Sequence, residues 1–403
     1  MGKRREFKCF VMGIATASIS FFFIFMFTEQ YDVHSSKTLP QFGDVTDRTY
    51  MNRKPLKTYE MDRSLSHECD KQTNIAFIKP HKTGGTTLAS IVNRFGYDRH
   101  ASFVICKYNR RNGHLRQLAI RSTSPGNILL PPVNRRDGNW RSYRYNMIGV
   151  HIRYNRTAMN SFMVPNTRYI TILREPVAQF ESFFNYMHLN AAVTRAGRPV
   201  NTTALEAFME RPDFYLPKLF YDRDKDSRNN QFYYLGFDTK FHEDERMINE
   251  TIQRLEEEMD MVLITDYFDE SLVVMKKLFC WEMEDVLYIS KNQRTHRSEV
   301  PAELAEKIRA WNRADVLLYD HFNKTLWRRI HEYGPDFKSD LAQFRLHLSE
   351  TFDECIDSSG LQNPLSRKIV YKAKKHTSKF CKSLTRTHLE MHNKIWKRQS
   401  PLR

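Results

Sequence analysis

Glycine and proline are scarce in this sequence, at 14 and 15 of 403 residues, which excludes a collagen-like repeat and a Pro/Gly-rich low-complexity chain. Cysteine is sparse too, and none of the six stands in a Cys-x-x-Cys pair, so a zinc ribbon or finger is excluded. No short internal repeat is present, and a solenoid is set aside with it. Acidic residues are the minority among the charges: 47 Asp and Glu against 63 Lys and Arg leave a formal +16. Such an excess favours anionic partners, whether nucleic acid, a membrane surface or a phosphorylated small molecule, without choosing among them. About half of it, a net +8, falls in residues 341–403. What the chain does hold is 41% apolar and 13% aromatic residues, enough for a packed globular core.

One long uncharged run stands out, Cys9 to Thr28, and 20 residues at about 1.5 Å each cross a hydrocarbon layer roughly 30 Å thick. Lys3, Arg4, Arg5 and Lys8 precede it and Glu29 and Asp32 follow, so the positive-inside rule predicts a type II anchor: cytosolic tail 1–8, membrane span 9–28, lumenal remainder. A cleaved signal peptide is the competing reading, disfavoured by the length of the run and the lack of a small-x-small cleavage site. A lumenal body agrees with four Asn-x-Ser/Thr sequons, at Asn155, Asn201, Asn249 and Asn323. Five cysteines lie beyond the span (Cys69, Cys106, Cys280, Cys355 and Cys381), leaving one thiol over if the others pair; the connectivity stays open.

Residues 29–70 are polar and aperiodic, as a stem would be, and the character changes at Asn74. Short apolar runs suited to buried parallel strands occur at 75–78, 147–150, 169–173 and 261–265, several followed by helical patterns. That alternation predicts a three-layer α/β fold with a central parallel sheet over about residues 71–340. Residues 243–259 read as an exposed helix with Ile248, Ile252 and Leu255 on its inner face and Glu256, Glu257 and Glu258 in solvent. Residues 341–403 read as a basic helical extension, with Phe344, Leu346, Leu348 and Phe352, packed loosely or set against an acidic surface.

The chemistry concentrates in two stretches. Asn74 to Leu88 gives a buried strand, then Lys-Pro-His-Lys-Thr-Gly-Gly-Thr-Thr from Lys79 to Thr87, then a helix start. Gly84 and Gly85 let backbone amides approach an anion, Thr86 and Thr87 add hydroxyls, the helix N-terminus adds its dipole, and Lys82 supplies a mobile positive charge. A Walker loop needs its lysine after the glycines, whereas Lys82 precedes Gly84, so a kinase or NTPase is disfavoured. The second stretch, Tyr169 to Tyr186, repeats the geometry, with Arg174 at a strand's carboxyl end, Pro176 at the first helical position and Ser182 about two turns on. In an open α/β sheet both motifs can meet in one crevice beyond the strand ends.

These two stretches resemble the 5′-phosphosulfate and 3′-phosphate motifs of sulfotransferases that use 3′-phosphoadenosine-5′-phosphosulfate (PAPS), and more narrowly the galactose-3-O-sulfotransferase family. Supporting segments are Val150 to Asn155, Asn230 to Gly236, Asp285 to Tyr288 and Leu318 to Trp327. The family favours Thr where Pro80 stands and Ala-Ser or Gly-Ser at Gly84-Gly85, and the C-terminal extension has no counterpart in it. The resemblance implies a P-loop-like sulfotransferase fold, PAPS as co-substrate with no metal, and transfer to the 3-hydroxyl of galactose on a glycolipid or glycan at the Golgi membrane, with no nucleic acid involved. In that picture Lys82 serves the bridging oxygen of PAPS. Thr83 and the amides from Gly84 to Thr87 (Gly85 and Thr86 between them) hold the phosphosulfate, and Arg174 with Ser182 holds the 3′-phosphate. His151, after the run 147–150, is the expected general base, with His81 as second candidate. Rival readings are a uronic acid or hexosamine acceptor and a non-catalytic glycan-binding protein. A metal-dependent glycosyltransferase using Asp222, Asp224 and Asp226 is disfavoured because no apolar strand precedes that charged run.

Overall fold

The computed structural model describes residues 69–106, 129–135, 139–218, 227–291, 299–357, 361–363 and 368–400, all within one compact unit. The apolar run 9–28, the stem to residue 68, and Asp222, Asp224 and Asp226 lie outside the described residues. Among the described residues, no helix is long and apolar enough to cross a membrane.

Four strands, β1 (Ile75–Ile78), β2 (Met147–Ile148), β3 (Arg168–Leu173) and β4 (Met261–Ile264), form one sheet in the order β2-β1-β3-β4. All three pairings are parallel, with Ala76 opposite Ile148 and Tyr169, and Ile172 opposite Leu263. β1 and β4 are buried at every residue, so helices cover both faces and the strands read as continuous apolar runs. The expected strands are all present; β4 stops one residue short of its run and β2 two short, because the chain turns away at Gly149. A Cβ there would lie 1.9 Å from Asn93 Oδ1, so the close pass of this segment over the neighbouring helix requires glycine.

The helices that frame the site are α1 (Gly85–Asp98), α2 (Pro176–Tyr186), α3 (Asn230–Tyr234), α4 (Glu245–Glu258), α5 (Phe268–Phe279), α6 (Arg313–Tyr333), α7 (Phe337–Cys355), α8 (Lys379–Thr385) and α9 (His388–Gln399). The chain leaving β1 passes through α1 toward β2, whereas the chain leaving β3 passes through α2 and α4 toward β4. The two connections diverge, opening a crevice at the carboxyl ends of β1 and β3. Pro176 opens α2 as expected, and Glu175 caps it by accepting from the Ala178 amide at 2.8 Å. α4 buries Ile248, Ile252 and Leu255. Its Glu256, however, is not a solvated residue: it binds His321 at 3.0 Å and Arg328 at 2.9 Å on α6, and its carboxyl is held down at about 2 by those hydrogen bonds.

The C-terminal stretch is not loose. Phe344 of α7 is fully buried in the main core, and Met391 and Ile395 of α9 join it, while Leu346 stays exposed. A short antiparallel hairpin (Leu361–Asn363 with Lys368–Val370) and a disulfide between Cys355 and Cys381 link α7 to α8. α9 lies along α1. Arg398 donates to the carbonyls of Tyr97, in the last turn of α1, and of Ala101, just beyond it, and Gln399 exchanges two 2.8 Å hydrogen bonds with the Phe103 backbone. A second disulfide, Cys69 to Cys280, ties the entry of the domain to the end of α5, and Cys106 is the leftover thiol. Because the Cys355–Cys381 link closes a loop and holds α8 and α9 to the core, Cys355→Ser is expected to lower unfolding free energy by about 2–4 kcal/mol in urea titration, with Cys106→Ser near neutral.

Candidate active site

The loop between β1 and α1 is held by its carbonyl groups. Thr171 Oγ1 on β3 donates to Ile78 O at 2.9 Å, His151 Nδ1 to Lys79 O at 2.8 Å, and Gln179 Nε2 on α2 to His81 O at 2.8 Å. Arg174 Nη1 donates to Lys82 O at 3.2 Å, and Thr265 Oγ1, just past β4, lies 2.6 Å from Thr83 O and 2.9 Å from Leu173 O. The oxygens are thereby turned into the protein. The amides of Thr83, Gly84, Gly85 and Thr86 donate to nothing among the described residues, leaving a nest of N–H groups at the start of α1. Gly84 sits in the left-handed region at φ 74°, and a Cβ on it would stand 3.3 Å from Thr265 Cγ2.

Each expected residue has a definite place around this nest. Lys82 also has positive φ, and its ammonium stands 4.2 Å over the Tyr186 ring at the end of α2. Thr83 is fully buried, so it faces the crevice through its amide; Thr86 is half-buried, and the Thr87 hydroxyl accepts from the Lys291 amide at 3.0 Å. Arg174 is clasped through its own backbone by Gln231 of α3, which accepts from Arg174 N at 2.9 Å and donates to Arg174 O at 3.0 Å. Ser182 is buried on α2, one turn beyond Gln179. α3 is itself fixed by Asp315 of α6, which accepts from the Gln231 and Phe232 amides; burial raises its carboxyl to about 7.

His81 and His151 stack at 4.2 Å between centroids, with the Tyr234 ring edge-on to His81 at 5.0 Å. A carbonyl can only accept, so the 2.8 Å bond to Lys79 O puts the proton of neutral His151 on Nδ1 and leaves the Nε2 lone pair for other work. Burial, then Lys79 and His81, hold the His151 imidazole well below its ordinary range, so it is neutral at pH 7. Two further basic groups escaped sequence reasoning. Lys79, buried, has its ammonium lowered to about 8 by burial and then by Lys82. His388, at the start of α9, feels Lys79 and lies near enough to influence His151. A lysine directly after an apolar strand was a signal for the first; nothing local marks the second.

A parallel α/β sheet whose first strand feeds a nest of amides left unpaired among the described residues at a helix start, faced by a second strand ending in a clasped arginine, defines a site suited to an anion. The sequence matches the family described as Galactose-3-O-sulfotransferase over residues 11–373, and the chain belongs to that family. It is 35% identical over 277 residues to galactose-3-O-sulfotransferase 3 of Bos taurus, covering 66% of this chain and 59% of that protein. It is 33% identical over 301 residues to galactosylceramide sulfotransferase of Homo sapiens, covering 72% and 66% respectively. The chain thus spans about three fifths of the length of the Bos taurus relative. α8 and α9 lie beyond the matched residues.

Two half-buried histidines carry a stability consequence. His388 is lowered to about 3 by burial and then Lys79, and His242 to about 4 by burial and then Arg228. Between the unfolded value near 6.5 and these folded values, the unfolded chain takes up protons that the folded one refuses, so stability present above pH 6.5 is lost as pH falls. Going from pH 7 to 5 is expected to destabilise the protein. His388→Gln should remove on the order of 1–2 kcal/mol of that loss, read from urea unfolding at the two pH values.

Proposed function

We propose that this protein transfers the sulfuryl group of PAPS to the 3-hydroxyl of a galactose residue on a glycolipid or glycan. The observation that carries the reading is the combination of amides freed for an anion with a neutral His151 whose Nε2 is left unprotonated, 2.8 Å from Lys79 O through the opposite nitrogen. The residues at hand fit the donor. The nest at Thr83 to Thr86 suits the phosphosulfate, and the guanidinium of Arg174 with the Ser182 hydroxyl suits the 3′-phosphate.

His151 Nε2 takes the proton of the acceptor hydroxyl as its oxygen bonds to sulfur, and the bond from sulfur to the bridging oxygen breaks. The electron pair leaves with the phosphate of 3′-phosphoadenosine-5′-phosphate (PAP), where Lys82 and the amides of α1 offset the developing charge. His81, stacked on His151, limits the swing of the base ring and remains the second candidate for it. Lowering of the His151 pKa keeps the base form available at neutral pH at the cost of basicity. Purified protein should release PAP from PAPS only with a galactoside, and linkage analysis by mass spectrometry should find sulfate on O3. His151→Ala is expected to keep PAP binding and lose about 10²- to 10⁴-fold in turnover, whereas Arg174→Ala weakens donor binding; normal turnover by His151→Ala would reject that base. Sulfate found only on uronic acid or hexosamine would reject the galactose acceptor.

The same reading puts the catalytic body in the Golgi lumen behind a single type II anchor at residues 9–28, next to its membrane-borne acceptors. Asn155, Asn201 and Asn249 are exposed, whereas Asn323 is half-buried on α6 with Oδ1 shut off from solvent. Glycosidase treatment should therefore increase gel mobility. Gln at positions 155, 201 and 249 together should abolish the shift, and a protein without it that is cut by protease from the cytosolic side would overturn the orientation.

A further inference from the structure

Lys79 is buried, 5% exposed, and its ammonium has neither an ion-pair nor a hydrogen-bond partner among the described residues. Its charged or titratable neighbours are all basic: Lys82 from the same loop, His151 beyond β2, and His388 from α9. α1, which packs over it, offers no acidic residue in its first turn. Glu390 of α9 is turned to its own helix start, where it accepts from the Thr387 amide at 2.8 Å. A buried cation is ordinarily paired, because desolvation without a counter-charge is expensive. Among the described residues, the surroundings supply no counter-charge.

The side chain has a defined course. A Cβ on Gly85 would meet Lys79 Cγ at 3.0 Å and Cε at 3.3 Å, so the stem runs against the first residue of α1, beside the unpaired amides. Its own carbonyl fixes His151. One residue therefore sets the tautomer of the base and carries a cation into the same corner. Lys82, in contrast, extends toward Tyr186 at the far end of α2.

We infer that Lys79 is a second anion-binding lysine of this site, engaging the sulfonate oxygens of the donor while Lys82 serves the leaving oxygen. The inference rests on the sulfotransferase reading above. A base at His151 must present the acceptor oxygen to sulfur from the side opposite the leaving oxygen, so a cation adjoining His151 faces the group in flight. Charge on its three oxygens, spread as in phosphoryl transfer, is what a desolvated ammonium there would stabilise. The neutral His388 closes the corner without introducing a carboxylate that would compete for Lys79.

The test uses the purified full chain with PAPS and a β-galactoside, and PAP, which lacks the sulfuryl group, as a competing ligand. Lys79→Met is expected to lose about 10²-fold or more in kcat while its PAP inhibition constant stays within roughly threefold of wild type. Wild-type kcat should fall as pH rises past about 8, where the Lys79 ammonium loses its proton. Lys79→Arg should retain part of the activity and lose that alkaline fall, since a guanidinium does not titrate there. Lys79→Met turning over like an active wild type would overturn the assignment alone, and so would an unchanged alkaline fall in Lys79→Arg, which also decides the matter if Lys79→Met does not fold. A wild type that binds PAP but sulfates no galactoside would sink the sulfotransferase reading, and the assignment with it.

Discussion

A loop that binds an anion through its amides must do something with its carbonyls, and in this protein that requirement organises the whole crevice. Five oxygens from Ile78 to Thr83 accept hydrogen bonds from side chains carried on β3, on α2, on the segments after β2 and β3, and on the segment after β4. Four of the five donors sit near or just beyond the carboxyl end of a strand and Gln179 on the helix that follows β3, so a parallel sheet is what brings them to one place. The bonds fix the direction of the peptide planes before any ligand arrives, which is the sense in which such a site is preorganised. They also explain why distant segments matter. Gln231 holds Arg174 by its backbone, and Asp315 holds the helix that carries Gln231.

The same bonds give several side chains two duties. Arg174 steadies the Lys82 carbonyl with its side chain while Gln231 holds its backbone, and His151 spends Nδ1 on the loop and keeps Nε2. Removing either disturbs geometry as well as chemistry. Set among bases rather than acids, the imidazoles of His151 and His388 stay neutral at pH 7, so they add no positive charge to the crevice beside its lysines, arginine and amide dipoles.

What the sequence revealed follows the range of the forces involved. The four strands were legible because burial on both faces leaves uninterrupted apolar runs, and the Gly84-Gly85 loop and Pro176 because turn chemistry is local. β2 ended early through contact with Asn93, about 55 residues away in the chain, which no local pattern encodes. Glu256 looked solvated because its partners, His321 and Arg328, lie on another helix. The C-terminal segment looked loose because its apolar positions are few. Its attachment depends on a disulfide and on side chains capping remote backbone, such as Gln399 on Phe103 and Lys291 on Leu384. Lys79 carried a local signal in its place directly after an apolar strand, whereas His388 acquires its character from neighbours that only the fold assembles.

α9 runs beside α1 in the same direction, its first residue near Lys79 and its last on Phe103. The phosphate loop precedes His388 by roughly 300 residues along the chain, so the ribosome makes the two far apart in time. Synthesis runs from the N-terminus, so this corner stays unfinished until α9 has been made. A chain interrupted before α9 would carry every recognisable motif and still lack one wall of its site, so the stretch that can be read as a phosphate loop and the stretch that encloses it are far apart along the chain.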